Sequence, residues 1–159
     1  AQMRQRIGRM THDEIQALMV EAGPLGDDIL AILEIEPNTW TFRYPDFDVD
    51  IVNVPEESRL VLTVAVATPA PDRAADVHRL LLLYNAIWQD TGSVRAALAS
   101  TEGEVALICD VFTRELTAEL LTRMAANLVD KAASWRTIIE AGAPDGSDVA
   151  ASSDSVFRI

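Results

Sequence analysis

The sequence is short of the residues that carry chemistry. It holds one cysteine, Cys109, and two histidines, His12 and His78. A single thiol excludes an internal disulfide framework and fits a reducing compartment. Neither histidine lies in an HExxH arrangement or near a cysteine at metal-ligand spacing, so no metal site can be assembled. His78 falls on the polar strip of a helix and reads as a surface residue. Cys109 falls in a strand-like run, where a lone cysteine is usually a small buried hydrophobe. A nucleophile needs a base and an orienting group, and this inventory supplies no such set. We therefore expect no catalytic residue, no metal ligand and no cofactor. The 7 glycines are scattered rather than gathered into a phosphate loop.

Long apolar runs are missing too. Nothing approaches the ~18 residues of a membrane helix. The start, Ala1-Gln2-Met3-Arg4-Gln5-Arg6, has charge with no apolar segment behind it, unlike a signal peptide. Met3 and Met10 are both candidate natural starts, with cloning-derived residues before them. Positive charge is scarce: 13 Lys and Arg stand against 25 Asp and Glu, a net charge of −12. That balance argues against nucleic acid and against anionic membranes. It suits a protein that keeps sticky segments of another chain in solution, although many small cytosolic proteins are acidic without that role.

What remains is a soluble globular composition. Of 159 residues, 49% are apolar and 24% charged, enough for one domain with a real core. We expect an N-terminal arm over 1–10, a single domain over 11–142 and a flexible tail over 143–159. The last four residues, Val156-Phe157-Arg158-Ile159, form a small apolar hook or a vector remnant.

Along the chain, Thr11-His12-Asp13-Glu14 reads as a capped helix start. Ile15, Leu18, Met19 and Ala22 make its apolar stripe, and Gly23-Pro24-Leu25-Gly26 breaks it. Residues 27–35 suit either a short helix or a strand, and Leu, Ala and Glu favour the helix. Thr39–Tyr44 and Phe47–Ile51 alternate as strands. Asp46, Asp48, Asp50 and Glu57 have the spacing of a calcium loop, but Ile51 stands where that loop needs glycine, and the alternation favours a strand. Arg59–Ala67 is nearly continuous in apolar residues, as in a strand covered on both faces. Asp72 can cap the helix that follows.

That helix organises the chain. In Val77–Trp88, winding at 3.6 residues per turn puts Val77, Leu80, Leu81, Tyr84 and Trp88 on one face. Leu82, Leu83 and Ala86 fall on the opposite face, with Ile87 on its flank. A helix apolar on both sides needs cover on both sides. One side can pack on the protein's own sheet. The other requires either a monomer layer or a second copy of the chain. After a glycine stop at Gly92, Val94–Ala99 and Val105–Phe112 read as a hairpin around Ser100-Thr101-Glu102-Gly103. A last helix follows from Thr117, with Leu116 stapled on Leu121 and with Leu121, Met124, Ala125, Leu128, Ala132, Trp135 and Ile139 inward. The sum is an α+β fold: an antiparallel sheet of about five strands with three main helices, α-βββ-α-ββ-α.

Leu80–Gly92, the hairpin and the helix through Trp135-Arg136 resemble the Tir-chaperone (CesT) family, the class I chaperones of bacterial type III secretion. Its pattern is a leucine-rich helix, Asn, an aromatic pair, Thr-Gly-Gly, and a hairpin with an Asp-x-x-Gly turn. This chain departs at Ile87, Ser93 and Ser100. The resemblance implies a twisted sheet and a homodimer. It also implies a cytoplasmic bacterial chaperone that holds the N-terminal segment of one secreted effector in extended form and meets the secretion ATPase. On that footing, Leu82, Leu83, Ala86 and Ile87 become the dimer face, with Val77, Leu81 and Trp88 turned to the sheet. Ile15, Leu18, Met19, Ile29, Leu30 and Leu33 become the effector pockets. The rival function on the same fold is a regulator or adaptor that binds a folded cytosolic partner.

Overall fold

The structure is a computed structural model, and it describes residues 9–141. The expected arm lies almost wholly outside the described residues, as do the expected tail and its apolar hook. The described residues form two compact units, one of 9–63 with 110–127, the other of 64–109 with 128–141.

In the first unit, α1 spans His12–Leu25. Thr11 and Glu14 close a capping box: the Glu14 amide donates to the Thr11 hydroxyl, and the Thr11 amide donates to the Glu14 carboxylate, both at 3.2 Å. Ile15, Met19 and Ala22 are buried. The helix ends at Leu25 with Gly26 as its C-cap, within the expected break over Gly23–Gly26. Pro24 falls in the last turn, so its missing N–H costs only a terminal bond.

The stretch favoured as a second helix is instead a strand, β1, Ala31–Glu36. It pairs antiparallel with β2, Thr39–Arg43, in the register Ala31–Arg43 to Glu34–Trp40, with a bulge before Glu36. Helix propensity is a weak preference, and pairing with a neighbouring strand overrides it. Pro37-Asn38 makes the hairpin, with Asn38 at φ 66°. β3, Asp48–Val54, buries Val49, Ile51 and Asn53 and turns Asp48, Asp50 and Val52 outward. Asp48 pairs with Arg43 and Asp50 accepts from the Thr41 hydroxyl, so the calcium-like spacing is ordinary strand alternation. β4, Arg59–Ala67, buries Leu60, Leu62, Val64 and Val66. Its other face is only half covered and Ala65 is exposed, in contrast to the cover expected on both faces.

In the second unit, α2 spans Ala74–Ala86 with Val77, Leu81 and Tyr84 buried. Its N-cap is Arg73, not Asp72. The buried Arg73 guanidinium donates to the carbonyls of Ile138 at 3.0 Å, Ile139 at 3.3 Å and Ala141. These are the orphan acceptors that end α3, Ala118–Glu140. α2 stops one residue before Ile87, and a 3-10 turn over Trp88–Asp90 carries Trp88 into solvent at 67% exposure, away from the expected sheet face. Gly92 and Ser93 follow at φ 63° and 66°. Ser93 thus holds a left-handed backbone that glycine adopts without strain, a physical reason for the second glycine of the family pattern. β5, Arg95–Leu98, pairs antiparallel with β6, Val105–Phe112.

At its start α3 is capped by Thr117, whose hydroxyl accepts from the Leu120 amide at 3.1 Å. It buries Leu121, Ala125, Leu128, Ala132, Trp135 and Ile139 as the spacing predicts, with Met124 half-buried. In the second unit, Tyr84 meets the Trp135 ring edge-on, centroids 5.5 Å apart. Burial, and then Cys109, push the Tyr84 hydroxyl up to about 12. Among the described residues the fold is α+β, with three helices and an open antiparallel sheet of six strands, one more than expected, in the order β1-β2-β3-β4-β6-β5.

Trp135 is 1% exposed. Trp135→Ala should lower unfolding free energy by about 3–5 kcal/mol. Urea denaturation would check this, and a loss below about 1 kcal/mol would contradict the packing described.

Candidate functional site

A cleft of about 460 Å³ opens between α1 and β1 in the first unit. That volume suits a few apolar side chains. Along α1 its wall is Gln16, Met19, Val20 and Gly23, one helical stripe at spacings of three and four. Pro24 extends it, and Ile29, Leu30, Ala31 and Ile32 close it from the strand side. A Cβ at Gly23 would make an ordinary contact, 3.7 Å from the Ile32 side chain across the cleft. At Gly26 an added Cβ would collide with Ile29, so that glycine keeps Ile29 in its place in the wall.

Three of the six expected effector-pocket residues line this cleft: Met19, Ile29 and Leu30. Leu30 is 65% exposed and Val20 68%. Ile15 does not line it and is fully buried core. Leu18 is half-buried and outside the cleft. Leu33 is exposed but lies on the other face of β1, since neighbours in a strand alternate and Ile32 takes the cleft side. Val20 and Gln16 are missing from the sequence reading because the apolar stripe points at the core, while the cleft uses the helix flank beside it. No periodicity marks such a flank; only the position of β1 does.

A polar clasp joins α1 to the strands at one end of the cleft. The His12 Nε2 lies 2.6 Å from Glu34 Oε1 on β1. The His12 ring stacks on Trp40 of β2 with centroids 5.6 Å apart. The Trp40 Nε1 donates to Gln16 Oε1 at 2.8 Å, and Gln16 is part of the cleft wall. Hydrogen bonds to Glu34 and then Asp13 raise the His12 pKa above the ordinary value. A second cleft of about 430 Å³ lies by Leu25, Gly26, Asp27, Asp28, Tyr44, Glu119, Thr122 and Arg123.

In the second unit, the expected dimer residues Leu82, Leu83, Ala86 and Ile87 are all exposed, Leu82 at 70% and Leu83 at 54%. Trp88, in the turn that follows, is exposed as well. His78 is not the surface residue expected: it is half-buried, with Nε2 enclosed. Cys109 is fully buried. Among the described residues no group of three His, Cys, Asp or Glu is arranged to hold a metal ion. Among them, too, no helix is long and apolar enough to cross a membrane.

Residues 31–136 match the family model described as the Tir chaperone protein (CesT) family. Several solved structures share the fold. The ExsC–ExsE complex is 22% identical, with a TM-score of 0.68 over 80% of this chain and 95% of that one. The HopA1–SchA chaperone–effector complex is 15% identical, with a TM-score of 0.63 over 77% and 92%. The ExoU–SpcU complex of the Pseudomonas aeruginosa type III secretion system is 15% identical, with a TM-score of 0.58 over 79% and 98%. No curated protein sequence matches the chain.

The clasp has a defined pH dependence. Because the folded His12 pKa is raised, the bond's contribution is complete below about 6.5 and is lost as pH rises through the folded value. Glu34→Gln should move the His12 titration down toward 6.5, read by NMR of the ring protons. An unchanged midpoint would contradict the clasp.

Proposed function

Since the chain belongs to the Tir chaperone (CesT) family and so is a type III secretion chaperone that binds an effector, we propose that it holds the N-terminal segment of one effector in extended form, as a homodimer in the bacterial cytoplasm. The cleft between α1 and β1 carries this reading: an apolar slot opens beside a strand that ends the sheet. An extended chain can lay side chains into such a slot while its backbone bonds to the strand edge. Ordering a flexible client costs chain entropy, so several anchors are needed, and Val20, Leu30 and Pro24 offer exposed apolar surface for them. The client then stays soluble and ready for the secretion ATPase, and the protein does no chemistry of its own.

The homodimer rests on α2. Leu82, Leu83, Ala86 and Ile87 are exposed apolar residues at the end of α2, with Trp88 exposed in the turn after it, on a protein with a net charge of −12. Exposed apolar patches of this kind mark association sites. A second copy of the same helix offers a self-complementary face, as two-fold interfaces require.

Leu83→Asp should halve the mass in solution, because it places a charge at the centre of that face. Light scattering that still gives twice the chain mass would refute the interface. Leu30→Asp should leave the dimer intact and reduce co-purification of the effector from the native bacterium about tenfold or more. Capture of a folded cytosolic protein in place of a secreted one would overturn the chaperone reading.

A further inference from the structure

The sheet has two edge strands, β1 and β5. Each carries backbone N–H and C=O groups that face away from the ladder and can template another strand. The two edges are treated differently, and Asn85 makes the difference at β5.

In an antiparallel pair, alternate residues direct their backbone groups at the partner and the residues between direct them outward. The Ala99 amide donates to the Glu104 carbonyl at 2.7 Å, which sets the parity of the hairpin. In the register Ala97–Ala106 and Arg95–Ile108, the odd-numbered residues of β5 therefore face β6. Ala96 and Leu98 face outward. The Asn85 side chain, near the end of α2, satisfies both outward groups of Ala96. The Asn85 Nδ2 donates to the Ala96 carbonyl at 3.0 Å, and the Ala96 amide donates to Asn85 Oδ1 at 2.8 Å. A carboxamide has the donor and acceptor of a peptide group side by side. Here it stands where one residue of a seventh strand would stand.

At the other edge the Asn53 amide donates to the Asn38 carbonyl at 2.9 Å, which sets the parity of β2 and β3. Even-numbered residues of β2 thus face β3 and odd-numbered ones face β1. In the register Leu33–Thr41, Ile32 and Glu34 of β1 point their backbone groups outward. Among the described residues no side chain hydrogen-bonds to either.

We propose that Asn85 is a positioning residue that plugs the β5 edge and so directs strand addition by a partner chain to β1. This rests on the client reading above for what is added at β1. The plug itself is tested without any client, so the two can fail separately.

The experiment is amide hydrogen exchange by NMR, with light scattering over a range of concentrations, on the full chain and on Asn85→Ala. In the unaltered protein the Ala96 amide should exchange at least ~10-fold more slowly than that of Leu98, its outward-facing neighbour. Asn85→Ala should abolish that difference while the Ala97 amide, bonded within the ladder, keeps its protection. The variant should also grow into larger species as concentration rises, and adding Leu98→Lys should restore the original size, since a lysine on the strand blunts an open edge. Equal exchange of Ala96 and Leu98 in the unaltered protein would overturn the plug, and needs no variant to fold. An Asn85→Ala protein that loses Ala96 protection yet keeps its original mass at all concentrations would overturn its role in guarding the edge.

Discussion

An open sheet leaves two rows of unpaired backbone groups, and what happens to those rows governs how this protein meets other chains. Water can satisfy them, a side chain can, or another strand can. At β5 the Asn85 carboxamide takes the groups of Ala96. At β1 no side chain among the described residues takes the outward groups of Ile32 and Glu34, which lie beside an apolar cleft. On the proposal that Asn85 plugs β5, this asymmetry leaves β1 as the edge suited to a foreign segment.

The helices complete this arrangement through packing rather than chemistry. α1 builds one wall of the cleft, and its capping box and the His12–Glu34–Trp40 clasp fix where it begins against the strands. α2 is buried on one side through Val77, Leu81 and Tyr84 and bare on the other through Leu82 and Leu83. A bare apolar side on so acidic a chain is stable in solution when a like surface covers it, which is how the pairing of two copies enters the account. Arg73 closes the far end of α3 by donating to its terminal carbonyls.

Much of this was legible in the residues. Thr11 and Thr117 announce their helices because a cap is a local interaction between residues three apart. The spacing from Leu121 to Ile139 announces the buried stripe of α3, and Val49 and Ile51 announce β3, because periodicity records which face is dry. The two faces of α2 were readable for the same reason. β1 was not readable. Nine residues fit both periods, and the deciding interaction is the pairing with β2, which local sequence does not encode. Trp88 was misplaced because periodicity assumes that the helix continues, whereas a 3-10 turn rotates the chain after Ala86. The cleft follows from β1: once that segment is a strand, Val20 and Gln16 face it and Ile15 sinks into the core.

The central claim is that a partner's backbone joins the sheet at β1. Hydrogen exchange of the β1 amides, measured on the protein alone and on the complex purified with its effector, tests this most directly. The account predicts that Ile32 and Glu34 gain protection of about a hundredfold or more in the complex, while Ala96 is unchanged. Equal exchange at Ile32 and Glu34 with and without the effector would contradict it.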